Sequence, residues 1–305
     1  MEELSQRQMD DFRREGYLLL RQVLPDDLLV TMRSMLEDAV DEIANRWVED
    51  GLLEDLHQDE PFERRLAVLR ERVPSAGSIT WRRLLAGEAA FSLWQHPTLL
   101  AIAASLVGED VYAHGVWNGR PREPNAPLAA VAWHQDAHYY DHYDRADGPL
   151  VTLWMPLVPV DEHSGCLQIA PRSHQEGVRP VTASANGLVE VTDPPAESEI
   201  LTCAMDPGDL LIFDAEMLHR SLPNEADYVR WSMDLRYGAA TPAIMAKGGR
   251  GYVCASTSRL ALGGYEDWIQ QYERPELEEM AAAASQSTQA FAADLGWADA
   301  ELDAF

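Results

Sequence analysis

Residues 200–237 read ILTCAMDPGDLLIFDAEMLHRSLPNEADYVRWSMDLRY. Three short apolar runs, 200–204, 209–213 and 228–237, are cut by DPGD and PNEAD, and such punctuation marks antiparallel strands joined by turns. The rhythm extends upstream through 111–118, 129–134, 150–158 and 166–170. In 228–237 the alternation is explicit. Trp231, Met233, Leu235 and Tyr237 share one face, while Arg230, Ser232, Asp234 and Arg236 share the other. The apolar face suits packing beneath helices, which turns the polar face into a barrel interior. A mainly β fold with helices follows, a jelly roll or antiparallel barrel.

Upstream of the strands the periodicity changes. Leu28, Leu29, Met32, Met35, Leu36, Val40 and Ile43 recur at three- and four-residue steps, which predicts a helix over 25–46. Further helices are expected over 6–16, 60–73 and 82–107, the last stopping at Gly108, with a short strand at Tyr17 to Leu20. The expected organisation is one domain spanning 1–305. It comprises a mainly helical layer over 1–110, a barrel core over 111–240 and an extension over 241–305 with a helix at 265–283. Residues 182–199, with SANG and DPPAES, read as a surface loop, and 284–305 as an acidic, Ala-rich tail.

The 305 residues include 51 acidic against 24 basic side chains, a formal net charge of −27. Such a surface repels nucleic-acid phosphates and anionic lipid, so neither is an expected partner. It also disfavours a polyanionic coenzyme A ester, unless the arginines at 64, 65, 70, 72, 82 and 83 offset it. No run approaches the roughly 18 consecutive apolar residues of a membrane helix. The opening MEELSQRQMDDFRREG lacks the apolar core of a secretory signal, so a cytoplasmic location is expected. Three separated cysteines, Cys166, Cys203 and Cys254, make no CxxC pair and fit buried thiols in a reducing compartment.

The chemistry concentrates in Ala132-Trp133-His134-Gln135-Asp136. In an extended strand His134 and Asp136 point to one face and reach a common point. Two imidazoles and a carboxylate form the facial triad of non-haem iron(II) oxygenases, which leaves positions open for reactants. The second imidazole is expected from His219, on the opposite wall of the barrel. Arg230, eleven residues further on, faces the interior, where a guanidinium needs an anion and its planar fork matches a carboxylate. Arg236 lies on the same face as a competitor for that role.

Taken together, FRREGYLLLRQVLPDDLL, WHQDAHYY, LWMPLVPVDEHSGCLQIAPRSHQEG, GDLLIFDAEMLHRS and the Arg230 strand resemble the phytanoyl-CoA dioxygenase-like family of 2-oxoglutarate oxygenases. The resemblance spans most of residues 10–240. It implies a double-stranded β-helix of the jelly-roll, cupin-like type. It implies Fe(II), 2-oxoglutarate as cosubstrate and O2, with His134, Asp136 and His219 as iron ligands and as the catalytic residues. Arg230 is then the anchor of the distal 2-oxoglutarate carboxylate, with Ser221, Thr152, Trp154 and Asn118 as further cosubstrate-pocket candidates. The intact Asp136 implies hydroxylation, desaturation or ring formation on a small molecule, with release of succinate and CO2, and not halogenation. Arg172 departs from the pattern, which usually has glycine there.

Around the triad, His138, Tyr140 and Trp117 are candidates for substrate contact, with ordinary core packing the alternative for Trp117. His142, His163 and His174 crowd the same region. Substrate choice is expected in the loops at 74–80, 119–128, 137–148 and 182–199 and in the C-terminal part. Two other readings compete: a cupin-type metal enzyme that does not use 2-oxoglutarate, and a non-catalytic metal- or ligand-binding barrel. Arg230 counts against both, because neither needs an anchor for a diacid.

Overall fold

The computed structural model describes residues 3–74, 79, 81–126, 130–140, 143–184 and 188–273. The N-terminal half carries six helices among the described residues: α1 (Gln6–Glu15), α2 (Asp26–Glu49), α3 (Phe62–Arg72), α4 (Trp81–Leu85), α5 (Glu88–Leu93) and α6 (Pro97–Val107), with strand β1 (Tyr17–Leu20) after α1. Eleven further strands follow: β2 (Val111–Ala113), β3 (Asn118–Arg122), β4 (Leu150–Pro156), β5 (Leu167–Ile169), β6 (Val181–Ala183), β7 (Val189–Val191), β8 (Leu201–Cys203), β9 (Leu210–Asp214), β10 (His219–Ser221), β11 (Arg230–Ala239) and β12 (Tyr252–Ala255). Helix α7 (Pro242–Lys247) precedes β12, and α8 (Tyr265–Glu273) follows it. Within the expected 265–283 helix, residues 274–283 lie outside the described residues, as do the expected 284–305 tail and His142.

The expected helix over 82–107 is three helices. Gly87 caps the start of α5, and before α6 the His96 ring accepts from Thr98 N while Pro97 occupies the first turn. Proline at that position costs no hydrogen bond, but it blocks continuation from the preceding helix. Gly108, at φ +98°, ends the run as expected.

Two antiparallel sheets make the jelly roll. The large one runs β1-β9-β4-β11-β2-β12, with β3 also on β11; the small one runs β10-β5-β8. Strand β11 is the spine of the large sheet. It pairs with β4 along one edge and with β3 and then β2 along the other. Strands from outside 111–240 join the same sheet, β1 on β9 and β12 on β2. Residues 119–128, expected as a loop, open instead with most of β3. Pro121 is tolerated there because, among the described residues, β3 pairs only on its β11 side. The 182–199 segment likewise includes a small hairpin of β6 with β7.

The helical layer covers the outer face of the large sheet. Trp231 is fully buried between Phe62, stacked at 5.4 Å, and Trp81, edge-on at 5.3 Å. Tyr237 donates to the Trp94 carbonyl at 3.3 Å. Gly119 lets the layers close, since a Cβ there would sit 2.4 Å from Leu85 and 3.1 Å from Leu36. The apolar face of β11 therefore meets the helices, and Arg230, Ser232, Asp234 and Arg236 turn inward, all buried.

Candidate metal centre

His134 and His219 do not face each other across the barrel. They are cross-strand neighbours at the edge of the small sheet, each backbone N–H donating to the other's carbonyl at 3.0 Å. Directly opposed residues of an antiparallel pair hold their side chains side by side, and the two imidazoles lie 4.1 Å apart. The chain stays extended through Gln135 and then enters a 3-10 turn at Asp136–Tyr139, which swings the carboxylate beside both rings. Asp136 Oδ1 is 3.9 Å from His134 Nε2 and 3.7 Å from His219 Nε2.

Each ring is oriented by its other nitrogen. His134 Nδ1 lies 2.9 Å from the Ala132 carbonyl, and His219 Nδ1 2.9 Å from the Met217 carbonyl. A carbonyl can only accept, so Nδ1 carries the proton in each and Nε2 presents a lone pair. Burial holds both imidazoles neutral: it is the main cause that lowers His134 to about 3, with His219 adding to it, and it also lowers His219. Burial works against the Asp136 charge, but Arg236, with the Thr152 hydrogen bond, holds this carboxyl well below the usual range. Two neutral nitrogens and one carboxylate, all within 4.8 Å of one another and all buried, fit a divalent transition metal.

Asp136 Oδ2 is turned away from that point. It accepts from Thr152 Oγ1 at 2.6 Å and from Arg236 Nε and Nη2 at 3.2 and 3.0 Å. Arg236 also pairs with Asp234 and donates to the Tyr140 hydroxyl at 2.6 Å. Arg236 is thus committed to Asp136 and Asp234, and does not compete with Arg230 for an external anion. Thr152 and Tyr140, expected to line cosubstrate and substrate space, brace the carboxylate and its arginine. Asn118 is similarly occupied, donating to Asp234 at 3.1 Å and accepting from Arg82 at 2.8 Å.

Arg230 is 1% exposed, donates to Ser232 Oγ at 2.6 Å and sits 5.5 Å over the Trp154 ring. Directly opposite on β3 is Arg122, which donates to Ser221 Oγ at 2.8 Å. Nε of both arginines is buried without a partner, and among the described residues neither has a carboxylate within 4.0 Å. Burial and, next, Arg120 lower Arg230 to about 10; burial and Arg230 lower Arg122 as well. An uncompensated buried charge costs about 3–5 kcal/mol, a cost that an anion at this end of the barrel would relieve. Arg122 escaped the sequence reading because Gly119 and Pro121 disguise β3. The usable signal was the alternation of Asn118, Arg120 and Arg122.

Other expected residues take different places. Trp117 is fully buried, donates to Tyr272 at 2.9 Å and packs edge-on against Trp94, contacts of ordinary core packing. His138 is half-buried, and its Nε2 has no partner. Gln135, not singled out from sequence, is fully buried. It donates to the Gly177 and Glu216 carbonyls at 2.9 and 2.7 Å and accepts from Arg179 N at 2.8 Å, stapling the walls beside the ligands. Arg172 has φ +72°, a left-handed conformation that explains the usual glycine; its N–H is held by the Glu15 carbonyl at 2.8 Å. Of the arginines at 64–83, Arg64, Arg65 and Arg70 pair with Asp227, Asp41 and Glu123, and Arg82 caps the Trp117 carbonyl. No described helix is long and apolar enough to cross a membrane.

The chain is 34% identical over 167 residues to a 1-deoxypentalenic acid 11-beta-hydroxylase from Streptomyces arenae, a match covering 49% of this chain and 56% of that protein. Mouse peroxisomal phytanoyl-CoA dioxygenase is 23% identical over 154 residues, 47% of this chain and 44% of that protein. The chain thus matches about half the length of these curated relatives. Among solved structures, the non-heme monooxygenase ThoJ superposes with a TM-score of 0.52 at 21% identity, over 81% of this chain and 79% of that one. The epimerase SnoN, in complex with Fe3+, alpha ketoglutarate and nogalamycin RO, gives 0.51 at 19% identity, over 81% and 84%. At those identities the likeness shows the jelly-roll fold. The family model of phytanoyl-CoA dioxygenase matches residues 12–231, and the chain belongs to that family.

Proposed function

We propose that the protein is a non-haem Fe(II)- and 2-oxoglutarate-dependent oxygenase that oxidises an unactivated C–H bond of a small molecule and releases succinate and CO2. The observation that carries this reading is the pairing of two features in one barrel. One is a three-ligand set, His134, Asp136 and His219; the other is a buried cationic floor at Arg230. A cupin-type enzyme without a diacid, or a passive barrel, has no use for the second feature. The hydroxylase relatives support oxidation of a small-molecule C–H as the outcome.

In this reading His134 Nε2, His219 Nε2 and Asp136 Oδ1 hold the iron on one face. When bound, the metal supplies O2 activation coupled to oxidative decarboxylation of the 2-oxo acid. Arg230 binds the distal carboxylate and so fixes the 2-oxo end toward the ligands, while Trp154 walls the methylene chain. Thr152 and Arg236 keep Asp136 ionised and aimed. The buried walls held by Gln135 exclude water from the centre.

The test is anaerobic loading with Fe(II), then succinate formation from 2-oxoglutarate on admission of O2. Wild type is expected to turn over slowly even without its substrate, and Asp136→Ala and Arg230→Ala to suppress turnover. Failure of wild type to bind either iron or 2-oxoglutarate would overturn the reading.

A further inference from the structure

Arg122 and Arg230 face each other across β3 and β11 with no acid between them. Their other surroundings are donors. Ser221 Oγ accepts from Arg122 Nη2 at 2.8 Å and from Val131 N at 3.0 Å. Both of its lone pairs are used, so the hydroxyl proton remains to be donated. Ser232 Oγ accepts from Arg230 Nη1 at 2.6 Å and likewise has a proton to give. Two guanidinium groups and two hydroxyl donors, all on residues more than nine-tenths buried, thus stand together, and each arginine keeps an unpartnered Nε.

We propose that Arg122 and Arg230 form a two-arginine carboxylate site, in which Arg122 is a second anchor of the distal carboxylate and the pair binds a dicarboxylate before any metal is present. This rests on the proposed function for the identity of the diacid, and on the geometry alone for the anion site. One arginine neutralises one carboxylate. The second leaves the site cationic after binding, which favours a fully ionised acid over its ester or amide. The Trp154 ring beneath Arg230 is an apolar wall suited to a methylene chain. A hydrated inorganic anion has no use for that wall, so the occupant is an organic carboxylate. Arg122 and Arg230 sit on the spine of the large sheet and its neighbour, while two of the three metal ligands belong to the small-sheet edge. The pairing of β3 with β11 therefore sets the two arginines without the metal, while Ser221 follows His219 on β10.

The full chain is stripped of metal with a chelator, which is then removed, and titrated with glutarate, dimethyl glutarate and sulfate by calorimetry and thermal shift. Glutarate is expected to bind and stabilise the wild type, dimethyl glutarate not to bind, and sulfate to bind more weakly than glutarate. Arg122→Gln is expected to weaken glutarate by about tenfold or more, as the loss of charge-assisted hydrogen bonds implies. Arg122→Lys is expected to recover part of that loss. Because Arg122→Gln removes a like charge beside Arg230, its ligand-free melting temperature is expected at or above the wild-type value. In Fe(II)-loaded enzyme the same variant raises the KM for 2-oxoglutarate with little change in kcat.

Unchanged glutarate affinity in Arg122→Gln and Arg122→Lys overturns the proposal, as does sulfate binding with no glutarate binding in the wild type. Should Arg122→Gln not fold, Arg122→Lys and Ser221→Ala carry the same comparison, each expected to weaken glutarate. Succinate formation by the wild type with glutarate affinity intact in the variants sinks the two-arginine site and leaves the oxygenase reading standing. Loss of glutarate affinity in the variants with no succinate from the wild type does the reverse.

Discussion

Arg236 grips Asp136 by one edge of its guanidinium, Nε at 3.2 Å and Nη2 at 3.0 Å from the same oxygen, Oδ2. The other oxygen, Oδ1, is the one turned to His134 and His219. A carboxylate whose second oxygen is held in this way would offer a metal its other oxygen, Oδ1. The arginine is in turn anchored by Asp234, itself held by Arg120 at 2.7 Å. Asp136 thus ends a chain of alternating charges, Arg120, Asp234, Arg236 and Asp136.

Replacing Arg236 by Gln leaves Asp136 buried without its cation, while Asp234 keeps Arg120 at 2.7 Å. Fe(II) or Co(II) affinity is expected to fall by about 10- to 100-fold, the usual range for losing a ligand's supporting contact. Stability of the metal-free chain is expected to fall by about 3–5 kcal/mol. Titration with Co(II), followed by its visible absorption, and urea unfolding read the two effects. Metal affinity equal to wild type would show that Asp136 orients itself.

Thr152→Val keeps the shape of the side chain and removes only the 2.6 Å bond to Asp136 Oδ2. A hydrogen bond to a charged group contributes about 1.5–3 kcal/mol. The variant is expected to bind metal less tightly than wild type but better than Arg236→Gln. Its KM for 2-oxoglutarate should move less than that of Arg230→Ala, since Thr152 touches the ligand carboxylate and not the anion site. A KM shift as large as that of Arg230→Ala would return Thr152 to the cosubstrate pocket.

His114 is buried and accepts from Val116 N at Nδ1, 3.1 Å away. That bond requires the neutral ring. Burial first and Arg236 second lower its pKa to about 3 from an ordinary value near 6.5. Unfolded His114 therefore takes up a proton that the folded chain refuses. Its contribution is fully present above pH 6.5 and lost as pH falls from 6.5 toward 3, about 2 kcal/mol by pH 5 at 1.36 kcal/mol per unit. Metal-free wild type is expected to lose stability over that window, and His114→Gln to flatten the slope. Parallel slopes in urea unfolding at pH 7 and pH 5 would exclude the effect.

Trp117→Phe separates a core role for this ring from contact with substrate. The ring's neighbours are Trp94 and Tyr272, and the lost Nε1 bond and volume are expected to cost about 1–2 kcal/mol. Succinate formation from 2-oxoglutarate at saturating Fe(II) is expected to be unchanged. An altered KM with unchanged stability would place Trp117 in the site after all.

Much of the site was legible one residue at a time. The HxD spacing, the distal His219 and the inward Arg230 are local patterns, each carried by alternation or by a short turn. What the alternation of β11 did not reveal was the partner of each inward side chain. Arg236 and Arg230 look equivalent on that strand, yet one neutralises Asp136 and the other is left facing Arg122.

The sequence by itself determined the strand rhythm, the three ligand types and the face on which the β11 arginines lie, because periodicity is a property of the local backbone. Only the tertiary structure decided that His134 and His219 are strand neighbours, that Arg236 is spent on Asp136, and that Arg122 joins Arg230. Those are matters of register between strands far apart in the chain. A shift of one residue in the pairing of β3 with β11 would turn Arg122 away from the interior and leave Arg230 alone.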